Sequence, residues 1–152
     1  MARVIFERTL DKADFGMDTS DSDVTLVASK WTEIASYQVP AQQEIAFGSG
    51  KVSDNGVDSR ATATIKLYDL TTQFTAGKLR LAYADANSVT IQPIKESLLA
   101  NWSSGVKLAE VTGLRVREDS YLKIFVNCAL AHNVDVSTTS NQIDIPTTTY
   151  ML

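Results

Sequence analysis

Asp54, Asn55, Gly56 and Asp58 gather oxygen donors around a glycine, and binding a hard cation is the chemistry such a stretch could do. An EF-hand loop needs ligands at fixed positions, a glycine at the sixth and a bidentate Glu at the twelfth. Counted from Asp54, the glycine comes third and the twelfth residue is Ile65. The spacing fails. Asn-Gly favours positive φ and is a strong hairpin signal, so the stretch is expected to be a turn that feeds a strand. A second run supplies Asp18, Asp21 and Asp23 with Ser20 and Ser22 between them. These carboxylates could also hold a cation, but the expectation is a solvated loop ahead of a strand.

Thiol, imidazole and hydroxyl chemistry finds little to work with. Cys128 is the single cysteine and His132 the single histidine, so a zinc site of three or four nitrogen and sulfur ligands cannot be assembled. The two share a face of an extended strand but would lie about 13 Å apart along it, too far for a nucleophile and its base. There is no Gly-x-Ser-x-Gly elbow, no phosphate-binding glycine loop, and no carboxylate pair with the context of a glycosidase. Asn101-Trp102-Ser103 matches the glycosylation sequon, without a secretory signal to give it meaning. No catalytic, cofactor-binding or metal-ligating residue is therefore expected. Trp31, Tyr37, Tyr68, Tyr83, Trp102 and Tyr121 could build a sugar-stacking platform, although packing in cores and interfaces suits aromatic rings as well.

The elements that would position these residues are strands. In "YLKIFVNCALAH", Leu122, Ile124, Val126, Cys128 and Leu130 fall on one face and Tyr121, Lys123, Phe125, Asn127 and Ala129 on the other. "RATATIKLYDL" alternates in the same way, with Ala61, Ala63, Ile65 and Leu67 on one side. "VTLVA", "EIASYQVP", "EIAFGS", "KLRLAYA", "SVTIQPIK" and "QIDIPTTTY" add further short strands. Pro93 and Pro146 should mark edges or irregularities, because proline cannot donate to a ladder. Turn signals separate the runs. About eight or nine strands so spaced predict an all-β antiparallel sandwich. One stretch, 93–102, has Glu96, Leu98, Leu99 and Trp102 at helical spacing and is expected to be a short helical connection. Residues 1–23 are expected to form an N-terminal strand and an extended arm, and 24–152 the sandwich.

The 152 residues are enough to bury a core without staples, and 44% hydrophobic content is that of a globular chain. A net charge of −4 with scattered Lys and Arg argues against nucleic acid as the main partner. The start "MARVIFERTLDKADFG" has no apolar signal-peptide core, and no apolar run is long enough to span a membrane.

The order of features has a likeness. A short first strand and polar arm, then "WTEIASYQVPAQQEIAFGSG", "GKLRLAYADAN", "REDSYLKIFVNCALA" and the final "SNQIDIPTTTYML" resemble the small β-sandwich or jelly-roll proteins that decorate or build capsids of tailed phages and archaeal viruses, over about residues 24–150. The resemblance implies a jelly-roll-like sandwich and a non-enzymatic virion protein, a capsid decoration (cement) or minor capsid subunit. It also implies assembly in the host cytoplasm, with the major capsid protein and copies of itself, a trimer favoured, as partners. Residues 1–23 and 142–152 would make the inter-subunit contacts, by adding to a neighbour's sheet edge. The alternative is a carbohydrate-binding or host-attachment sandwich, which needs exposed, coplanar aromatics.

Overall fold

The computed structural model describes residues 4–17, 24–47, 63–67, 76–88, 91–99, 106–108, 115–135 and 141–152. Alternating polarity makes strands wherever one face is buried, and the described elements are β1 (Val4–Leu10), β2 (Val24–Thr25), β3 (Thr32–Gln38), β4 (Gln43–Phe47), β5 (Ala63–Lys66), β6 (Gly77–Ala84), β7 (Ile91–Leu99), β8 (Val106–Leu108), β9 (Arg115–Val116), β10 (Tyr121–Asn127), β11 (Asn133–Val134) and β12 (Gln142–Met151).

β12 is the centre of one sheet. β1 runs along one side of it, from Val4 opposite Met151 to Leu10 opposite Ile145. The other side is shared end to end by β5, on Gln142–Asp144, and β4, on Thr147–Met151. β9 extends β4 and β8 extends β5. The second sheet has the order β3-β10-β6-β7, and β2 and β11 form a ribbon beyond the end of β10. If β4 and β5 are one interrupted strand, β8 and β9 another, and the ribbon is set aside, eight strands remain in the orders 1-8-3-6 and 2-7-4-5. That is a jelly roll, two Greek keys wound into facing sheets.

The core lies between the sheets. Leu122, Ile124, Val126 and Cys128 of the β10 segment pack with Tyr37, Leu79 and Leu81 against Leu10, Ile45, Ile65, Leu67, Val116, Ile143 and Ile145 of the opposite sheet. The slim alternating stretch at 63–67 therefore turns Ile65 and Leu67 inward. Pro146 falls where β12 has lost β5 and not yet gained β4, so its missing N–H interrupts neither. Pro93 sits in β7, an edge strand, beside a bulge. Both positions fit what a proline requires.

Four expectations are corrected. The helical connection is a strand over its described part: β7 pairs with β6 from Ile91 opposite Ala84 to Leu99 opposite Gly77. Its alternation is hidden because Ile94 is an extra residue, so that odd-numbered residues face even-numbered ones of β6 before it and even face even after it. The first strand is present as β1, but residues 11–17 after it are not an extended arm, since Phe15 and Met17 are core residues. The final strand is not available for a neighbour's edge, because β12 is flanked on both sides over Thr147–Met151. Leu130 is not inward: β10 ends at Asn127 and the chain bends through Ala129 and Leu130. β8, β9 and β11, two or three residues each, are too short to show a period.

The acids after β1 build a turn. The Asp14 N–H donates to Asp11 Oδ1 and the Asp11 N–H to Asp14 Oδ2, a reciprocal capping box. Met17 N–H then closes on the Lys12 carbonyl and Gly16 N–H on that of Ala13, with Gly16 at φ 72°, the Schellman closure that favours glycine. The single turn delivers Phe15 and Met17 to the core.

Candidate functional site

The cation candidates lie outside the described residues: Asp54, Asn55, Gly56 and Asp58, and likewise Asp18, Asp21 and Asp23. The same holds for Asn101-Trp102-Ser103 and Tyr68. Among the described residues, no three of His, Cys, Asp or Glu come together to hold a metal. Cys128 is buried in the core. His132 is half-buried on the strand-like return beyond it, its carbonyl accepting the Leu26 N–H at 2.7 Å. The bend at Ala129 and Leu130 separates the two residues. A shallow cleft of about 260 Å3 runs between Asp11–Ala13 and Asn141–Asp144. Its carboxylates are already engaged, Asp11 by the Asp14 N–H and Asp144 by the Gln142 amide.

What the structure does bring together are cations and aromatic rings. Arg80, on β6, reaches across β10 to place its guanidinium carbon 3.9 Å from the Trp31 ring centre, and its Nε donates to Glu96 at 2.6 Å. On the outer face of the other sheet Arg115 lies 4.3 Å over Tyr150 and donates to Glu44 at 3.1 Å. Lys123 sits 5.4 Å from the Tyr121 ring. At the open side of the sandwich Arg8 of β1 donates to the Tyr37 hydroxyl at 3.2 Å and pairs with Asp14, which ties the two sheets together beside the Phe15–Tyr37 contact. Cation–π contacts of this kind contribute about 0.5–1 kcal/mol each at exposed sites. Tyr37 is buried and Tyr83 packs on the core. A sugar platform needs free ring faces, and Trp31, Tyr121 and Tyr150 each have one held by a cation.

Lys123 is the most enclosed of these charges. Alternation puts it on the outer face, yet β10 is an inner strand and neighbours stand on both sides, Ser36 on β3 and Ala82 on β6. Its side chain is 9% exposed, its Nζ lies 2.7 Å from Glu33 Oε1, and it also donates to Ser88 Oγ. Glu33 is 43% exposed, so water screens the pair. Lys123→Met keeps the packed stem and removes the desolvated charge, and its unfolding free energy in urea is expected within about 1 kcal/mol of wild type. Glu33→Ala strands the ammonium and is expected to cost about 1–2 kcal/mol after discounting for exposure. If Lys123→Met proved the more damaging of the two, this account of the pair would be wrong. Sequence reading missed the pair because neither residue is marked by a motif; only the pairing of β3 with β10 brings them together.

With two facing sheets, a jelly-roll order and no assembled reactive centre among the described residues, the geometry can be set beside solved structures. VP17, a capsid protein of bacteriophage P23-77, superposes with a TM-score of 0.61 at 9% identity, over 99% of this chain and 97% of that one. This chain is similar in fold to a capsid protein. The complex of VP16 and VP17, the two major capsid proteins of the same phage, gives a TM-score of 0.61 at 10% identity, over 99% of this chain and 100% of that one. At 9–10% identity the likeness is one of fold. No family model matches the sequence, and no curated protein does. The all-β jelly-roll expected from the sequence, and its resemblance to capsid proteins, stand at the level of fold.

Proposed function

We propose that this chain is a non-enzymatic structural protein of a virion, a subunit that builds or cements the capsid shell. The observation that carries the reading is the two-way likeness to VP17, in which nearly the whole of each chain is used. Among the described residues the rings of Trp31, Tyr121 and Tyr150 each carry a cation, which supports this reading over a carbohydrate-binding sandwich.

Within this reading the chain works by surface, through many contacts that are individually weak and collectively strong. Its partners are other capsid proteins and copies of itself, with a trimer as the favoured unit, and its place is the virion after assembly in the host cytoplasm. The sequence resemblance favours a decoration or minor capsid subunit. The full-length likeness to a phage capsid protein favours a subunit of the shell itself. Quantitative mass spectrometry of purified particles, with a symmetric reconstruction, decides between them. A shell subunit is present in a fixed ratio within the continuous layer, and a cement protein lies on top of a larger protein. Absence from purified particles would overturn the virion reading altogether.

A further inference from the structure

Among the described residues, the large apolar side chains that stand exposed lie at the two ends of the sandwich. At one end, segment 26–30 lies beside 128–132, held by Leu26 N–H to His132 O and Ser29 N–H to Cys128 O, both 2.7 Å. This tip is anchored by Leu26, Cys128 and Val134 in the core. It nevertheless exposes Val27 at 54% and Leu130 at 58%. At the opposite end, where β3 turns into β4 and the chain enters β10, Leu152 N–H donates to Gln42 O and Asp119 N–H to Val39 O, both 2.8 Å. Here Leu152 is 52% exposed beside the exposed Ala41. No other large apolar side chain stands so far out among the described residues.

The two ends also carry opposite charge. Four cations elsewhere are matched within the chain, Arg80 by Glu96, Arg115 by Glu44, Lys123 by Glu33 and Arg8 by Asp14. Among the described residues no ion pair engages Lys30 at the first end or Asp119 at the second. Arg117, Glu118 and Asp119 leave the second end net negative.

We propose that copies of this chain meet end to end, the Val27–Leu130 end of one seated on the Leu152–Ala41 end of the next, with Lys30 facing Asp119. The contact joins two different patches, so it repeats from copy to copy and forms rings or chains. The hydrogen-bonded turns on both sides are pre-ordered, so little conformational freedom is lost on docking. This inference rests on the virion reading only in supposing that the chain assembles with itself.

Sedimentation velocity of the full chain at low ionic strength tests it. Wild type should associate in a concentration-dependent way, and Leu130→Asp should raise the dissociation constant at least about tenfold with an unchanged thermal melt. Lys30→Glu should weaken association, and Lys30→Glu combined with Asp119→Lys should restore it. A tip-to-tip contact predicts no such pattern: Lys30→Glu would exchange one like-charge repulsion for another and leave association about unchanged, and Asp119→Lys would restore nothing. The contact is overturned if wild type stays monomeric, if Leu130→Asp associates normally, or if the charge swap fails to restore association. Such failure in a protein still found in particles leaves the virion reading standing, whereas absence from particles removes that reading whatever the sedimentation result.

Discussion

Thr148→Pro is expected to collapse the fold, while Pro146→Thr, two residues away, is expected to shift the unfolding free energy by no more than about 1 kcal/mol. Thr148 is buried and paired on both sides, with Glu7 of β1 and Ala46 of β4. A proline there removes a ladder donor whichever neighbour it served. It also leaves a facing carbonyl unmatched, about 1–3 kcal/mol for that group alone. The ring's conflict with a strand on each side adds to this in an inner strand. Against a total stability of about 5–15 kcal/mol for a domain, the sum is large. Pro146 lies in the gap between the two half-strands and makes no such demand. Circular dichroism in a urea series separates the two variants. Equal stability would mean that β12 is not the doubly paired centre of its sheet.

Ile124→Ala is the second large effect, a loss of about 2–5 kcal/mol in the same measurement. Ile124 is fully buried at the middle of β10, opposite Ala35 on β3 and Leu81 on β6. Its flanks on both sides are residues of hydrogen-bonded strands, so the cavity left by the lost methyl groups cannot easily close. Val27→Ala, which also removes methyl groups but from an exposed tip, should change stability by about 0.5 kcal/mol or less. Similar losses at both sites would refute the assignment of core and surface.

The contrast also shows what the sequence made legible. Strands with an undisturbed period of two were visible: β6 and β12 alternate in burial over most of their length, and in β10 Leu122, Ile124 and Val126 join the core while Lys123 and Phe125, also buried, do not. Alternation failed where an extra residue was inserted, and Ile94 in β7 shows why, since a bulge reverses which parity faces the core and imitates a helical spacing. Very short pairings such as Arg115–Val116 carry no period at all; they exist because β4 is there to receive them. The turn at Asp11–Met17 could have been found. Two aspartates three apart, followed by Gly16, are a capping box and a left-handed stop, a local signal strong enough to set against an extended arm. The interaction surfaces were the least legible part. Lys123 and Glu33, or Arg80 and Trp31, are ordinary residues until non-adjacent strands bring them together.

The pairing of β1 with β12 also governs how the chain can reach this state. Val4 finds its partner at Met151, and Leu10 at Ile145. The first strand therefore waits for almost the last one, and β4 and β5 wait with it for the same strand. Sheet β3-β10-β6-β7 can close earlier, because β6 and β7 are adjacent in sequence. Until β12 docks, that sheet must carry an exposed apolar face. Long-range pairing of this kind is slow and leaves sticky intermediates. Once β12 is in place, the five other strands of its sheet are held through a single strand, and its departure is a correspondingly cooperative and infrequent event. A slowly closed, slowly reopened sandwich persists by its barrier to unfolding as well as by its depth of stability.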